Sequence, residues 1–162
     1  MESDLFKNNC NIKKHTLIKI GLDPAFRQNG FAICIINEQK EVRFITFKRF
    51  INFINFVLYE APDNAKCAIE NSNLQNCVFN KRAGLTGARQ VGKNQAASQI
   101  AYDLFVSRYG KKNVLNISPK GKGSKQRLDS VVFRIMQSQG LKFQRKKLSN
   151  DEKDSFMMTL FI

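Results

Sequence analysis

Residues 16–22, TLIKIGL, place Ile18, Ile20 and Leu22 at every second position. This alternation predicts a half-buried strand that ends at Asp23. DPAFRQNG reads as a turn, FAICII (31–36) as a second strand, NEQK as a tight connection, and EVRFITF (41–47) as a third strand alternating through Val42, Phe44 and Thr46. Short links between three successive strands imply an antiparallel meander. The period then changes. Phe50, Phe53, Ile54, Val57 and Leu58 recur at helical spacing and predict a helix that stops before APDN. KCAI (66–69) predicts a short fourth strand reaching Glu70, and the polar stretch after it predicts a long loop.

A helix is expected from about Val91 to Arg108, with Ala97, Ile100, Ala101, Leu104 and Phe105 on one side and Tyr109-Gly110 as its stop. NVLNI gives a fifth strand and SPKGKGSK a loop. Leu128, Val131, Val132, Ile135 and Met136 give a further amphipathic helix, LKFQRKK (141–147) an edge strand or basic loop, and Ser149 opens a last helix. Two strand-helix-strand repeats after a meander call for a mixed five-stranded sheet, α/β in class: three antiparallel strands, then parallel crossovers, with helices on both faces. Residues 1–15 are expected to be an N-terminal extension and 16–162 a single domain.

Composition narrows the partners. Among 162 residues, 27 Lys and Arg face 13 Asp and Glu, a formal charge of +14, which attracts polyanions and makes nucleic acid the favoured partner over a membrane surface. Lys19 interrupts the first apolar run, unlike a signal peptide, and no stretch is long enough to span a bilayer. Cys10, Cys34, Cys67 and Cys77 form no C-x-x-C pair, which speaks against zinc and for a reducing, cytoplasmic setting. His15 is the one histidine, so Ser/His/Asp chemistry has no support. The phosphate-loop pattern G-x-x-x-x-G-K-[ST] is absent, and no organic cofactor is implied.

In so basic a chain, acidic residues at element ends are conspicuous: Asp23 and Glu70 close strands, and Asp151 and Asp154 share a face of the last helix. Mg2+ or Mn2+ takes hard oxygen ligands, and two such ions can activate water and stabilise the leaving oxygen of a phosphodiester. Structural readings stand beside this one. Asp23 before Pro24 also suits a turn, Glu70 the start of a polar loop, and Ser149 with Glu152 a capping box, the role assigned to Glu152.

The stretch IGLDPAFRQNGFAI resembles the D-P-x-x-x-x-x-G-x-A motif of the RuvC-type Holliday junction resolvases, within the RNase H-like superfamily. AIEN resembles their fourth-strand Glu motif and DEKDSFMMTLF their terminal D-x-x-D-A-x-x-x-A helix, with Ser155 in place of the usual Ala. The compact chain and ARQVGKNQAASQ look more like phage or mobile-element relatives. The resemblance implies an RNase H-like fold and an endonuclease that cuts branched, four-way DNA as a homodimer. It also implies Asp23, Glu70, Asp151 and Asp154 as catalytic ligands of two Mg2+ or Mn2+ ions.

Phosphate contacts are expected from Lys81, Arg82 and Arg89, from Lys93, and from Lys120, Lys122, Lys125 and Arg127, with the solvated loop as the alternative. Phe79 either stacks on a base or folds back on the core. Lys142, Arg145, Lys146 and Lys147 precede the Asp helix, where they would guide DNA and offset carboxylate repulsion. Gly92, Ala96 and Ala97 permit close helix packing, including between subunits. Two other readings remain: a nuclease of RNA/DNA hybrids on the same fold, and a non-catalytic nucleic-acid binder. The second gains nothing from acidic groups placed beside phosphates.

Overall fold

Strict alternation along the central strands sorts their side chains between two cores. A computed structural model describes residues 17–26, 30–74, 84–119 and 128–162. Strands β1 (Ile18–Asp23), β2 (Phe31–Ile36), β3 (Val42–Phe47), β4 (Ala65–Glu70) and β5 (Val114–Ile117) form one sheet in the order β3-β2-β1-β4-β5. The meander β1-β2-β3 is antiparallel, whereas β4 and β5 join in parallel. This is the expected mixed sheet.

Ile20 and Leu22 of β1, Phe31, Ile33 and Ile35 of β2, and Cys67 and Ile69 of β4 face one core, completed by α1 (Phe50–Asn55) and α2 (Gly84–Tyr109). Phe53 stacks on Phe31 at 4.3 Å between ring centroids and lies 6.3 Å from Phe105, so aromatic area dominates this layer. On the opposite face Cys34 and Ile36 meet Val132 and Met136 of α3 (Asp129–Ser138) and Phe156 of α4 (Asn150–Met158). Gly30 opens β2 with φ +71°, and a Cβ there would lie 1.9 Å from the Phe47 carbonyl oxygen, so only glycine fits the turn.

Several expectations need correction. The helix from Phe50 passes at Phe56 into a π-helical turn ending at Glu60, and the buried residues are Phe53, Phe56 and Val57, with Leu58 exposed. The face centres there because Phe47 packs Phe56 at 5.1 Å, and Phe31 takes Phe53. Helix α2 begins at Gly84, well before Val91, and no residue of it before Ala97 is fully buried. That half has no apolar stripe to read. In α3 only Val132 and Met136 are fully buried, while Leu128 precedes the helix and Val131 stays exposed. Of the two readings of 141–147 the loop holds, with one bridge in which the Lys142 carbonyl accepts from the Val42 amide and the Lys142 amide donates to the Lys40 carbonyl.

Candidate metal centre

The alternation that sends Ile20 and Leu22 to α1 and α2 sends Lys19, Gly21 and Asp23 to the face covered by α4. In β4 it likewise turns Glu70 away from the Cys67 and Ile69 side. Parallel pairing of β1 with β4 runs through Leu22 opposite Ile69, so Asp23 and Glu70 come one step later, side by side at the C-terminal ends of both strands. Helix α4 lies against β1 at Gly21. A Cβ on Gly21 would lie 2.0 Å from the Ser155 carbonyl oxygen and 3.0 Å from the Thr159 amide, so the missing side chain is what lets the helix backbone come this close. Asp154 immediately precedes Ser155 and is carried to the same sheet edge.

Asp23, Glu70 and Asp154 each offer a carboxylate oxygen within 4.8 Å of the others. Glu70 and Asp154 are only 8% and 7% exposed, and Asp23 is half-buried. Oxygens sharing one hard divalent cation at 2.0–2.6 Å stand at most roughly 4 to 5 Å apart, so this all-oxygen set fits Mg2+, Mn2+ or Ca2+ and does not suit soft metals. Asp151, half-buried in the first turn of α4, is not one of the three.

The start of α4 is rigidly built. Ser149 Oγ accepts from the Glu152 amide at 3.2 Å, and a Glu152 carboxylate oxygen accepts from the Ser149 amide at 2.8 Å, the capping box expected from the sequence. Arg145 adds a two-pronged contact to the same carboxylate at 2.7 and 3.1 Å. That arginine, expected to guide DNA, is thus engaged in fixing the helix N-terminus. Burial works to raise the Glu152 pKa, but the Arg145 and Ser149 contacts outweigh it and leave the group below its ordinary value of 4.5. A lowered folded value means that the unfolded chain binds more protons in this range. The stabilisation is therefore present above pH 4.5 and is lost as pH falls through the folded value. Urea midpoints measured from pH 7 to 3 should fall on the acid side in the wild type and fall less steeply in Glu152→Gln.

Of the expected phosphate contacts, Arg89 and Lys93 are exposed on the N-terminal half of α2. Phe79, Lys81, Arg82, Lys120, Lys122, Lys125 and Arg127 lie outside the described residues. Sequence reasoning missed Gly21 and Asp129, the latter paired with Lys153. A glycine inside an alternating strand was a readable sign of close backbone approach. A separate cavity of about 270 Å3, lined by Leu17, Asp63, Asn64, Arg108 and Tyr109, lies toward the start of β1 and β4, away from the carboxylates. Arg108 there donates to the Leu58 and Ala61 carbonyls and pairs with Asp63 at 2.9 Å, a structural clamp on the end of the π turn.

No protein-family model matches the chain, and no curated protein matches it. A solved structure does: T. thermophilus RuvC in complex with Holliday junction substrate, at a TM-score of 0.51 and 12% identity, covering 89% of this chain and 91% of that one. The fold is RNase H-like. Among the described residues no helix is long and apolar enough to cross a membrane.

Proposed function

We propose that this protein is a divalent-metal-dependent DNA endonuclease acting on four-way or related branched junctions, with residues 16–162 as its nuclease domain. The convergence of Asp23, Glu70 and Asp154 carries the reading. Three carboxylates gathered at one sheet edge of a chain with a formal charge of +14 suit a site where divalent cations would join the protein to phosphate. The resolvase whose structure matches was solved on a Holliday junction, which supports branched DNA as the substrate.

In this reading Asp23, Glu70 and Asp154 hold Mg2+ or Mn2+, with Asp151 one turn back on α4 completing the ligands of a second ion. Bound cations supply a lowered pKa for the attacking water and charge neutralisation at the leaving oxygen. The chain's part is to fix the carboxylates on rigid elements. The strands set Asp23 and Glu70, and the Gly21 contact and the capping box set Asp154. Arg89 and Lys93, with Lys81, Arg82, Lys120, Lys122 and Lys125, would grip phosphates, and Phe79 would stack on an opened base.

A second copy of this chain is proposed to cover the N-terminal half of α2, where Leu85 is 68% and Val91 45% exposed and Gly92 and Ala96 present a small-residue surface. Such a homodimer would bring two sites to one junction. The reducing cytoplasm is the proposed compartment, where the buried Cys34 and Cys67 remain thiols.

The test is a panel of labelled four-way junction, flap, linear duplex and RNA/DNA hybrid in Mg2+ or Mn2+. The expected result is nicking of the junction in preference to the linear duplex, abolished by chelator and by Asp23→Asn, with junction binding by that variant retained. Undiminished cleavage by Asp23→Asn would refute the site, and preferred cleavage of the hybrid would refute the substrate.

A further inference from the structure

Lys153 stands between Asp151 and Asp154 in sequence, yet its side chain reaches α3. Its Nζ lies 2.9 Å from Oδ1 of Asp129, the first residue of that helix. Only 10% of the Lys153 side chain and 30% of the Asp129 side chain is exposed, and that Asp129 oxygen is buried, close to the Lys153 ammonium but not hydrogen-bonded to any group. An ion pair this desolvated gives little net stability over apolar residues of the same volume, so stability alone is a poor reason for its presence.

The other supports of α4 act elsewhere. The Gly21 contact sets the distance of α4 from β1, and the capping box with Arg145 fixes its N-terminus. Among the described residues α4 and α3 also share an apolar cluster of Phe156 with Val132 and Met136, a non-directional contact. Rotation matters because Asp154 projects from the flank of α4. With Cα atoms about 2.3 Å from the axis and side chains reaching roughly twice as far, a turn of about 20° moves a carboxylate by about 1.6 Å. A shift of that size would separate Asp154 from the oxygens of Asp23 and Glu70.

We propose that Asp129 and Lys153 are positioning residues whose ion pair fixes the rotation of α4 against α3, and so holds Asp154 at the shared cation site. The inference rests on the metal reading above, and Mn2+ binding tests it without any need for cleavage. Two accounts of Lys153 predict opposite signs. If Lys153 mattered only as a nearby positive charge, its removal would tighten cation binding. If it positions Asp154, removal loosens binding.

The experiment follows Mn2+ binding by electron paramagnetic resonance, and single-turnover junction cleavage, in wild type, K153M and the exchanged pair D129K/K153D. Folding is checked by circular dichroism. The expected result for K153M is about tenfold weaker Mn2+ binding and a comparable loss of rate, with junction affinity in Ca2+ unchanged. The exchanged pair should recover most of both. If K153M fails to fold, D129N removes the same pair from farther away and should weaken Mn2+ binding in the same direction. Mn2+ binding by K153M, or by D129N in its place, as tight as wild type or tighter overturns the proposal, as does a folded exchanged pair no better than K153M. A wild type that binds Mn2+ but cuts no nucleic acid would end the nuclease reading and leave the positioning result standing on its own numbers. A wild type that binds no Mn2+ would end both.

Discussion

Asp154→Asn should lower junction cleavage by roughly a hundredfold to a thousandfold, the scale on which removal of one group aimed at developing charge acts. The same substitution should leave the apo protein more stable. Three carboxylate oxygens lie within 4.8 Å of one another, two of them on residues almost wholly buried, so folding brings like charges together there. Removing one charge relieves their repulsion. In chelator the variant is expected to gain about 1 kcal/mol, a rise in melting temperature of roughly 2–4 °C for a chain of this size. On adding Mg2+ the order should reverse, because wild type gains binding energy that the variant largely lacks. Differential scanning fluorimetry with and without metal, beside a single-turnover assay, checks both halves. A variant less stable than wild type in chelator would mean that Asp154 serves chiefly to hold the fold.

Gly21→Ala should damage the fold and the site together. The added methyl would lie 2.0 Å from a backbone oxygen of Ser155, which cannot move without the whole of α4. Helix α4 must lift or the strand must bend, at a cost of about 3 kcal/mol or more and a fall in melting temperature of roughly 6–12 °C. Lifting α4 also carries Asp154 away from Asp23 and Glu70. Activity per folded molecule should therefore fall with stability, a combination that an ordinary core defect does not produce. Denaturant titration and single-turnover rates at a temperature where the variant is folded would establish it. Full activity in a folded Gly21→Ala would show that α4 can shift without disturbing the site.

These two cases mark what the amino-acid pattern revealed and what it hid. The meander was legible because Ile18, Ile20 and Leu22, then the uniformly apolar FAICII, leave strands as the economical reading, and the crossovers followed from their alternation with helices. Two of the three converging carboxylates were legible as strand ends. The last was harder. Asp151 and Asp154 share a helix face and differ only by one turn, about 4.5 Å of rise, and nothing in their spacing says which is level with the strand ends. That depends on the height of α4 along β1, which Gly21 and Thr159 set.

The start of α2 was illegible for a different reason. Leu85, Val91 and their neighbours are exposed, so the helix there lacks the one-sided burial that periodicity detects. The Asp129–Lys153 pair joins two helices across 24 residues, and no local pattern announces such a contact.

The central claim is that Asp23, Glu70 and Asp154 form one cation site, and the most direct measurement is anomalous diffraction from crystals grown with Mn2+. The account predicts a peak at about 2.0–2.2 Å from a carboxylate oxygen of each of the three residues. Mn2+ bound elsewhere, with these three side chains turned apart, would contradict it.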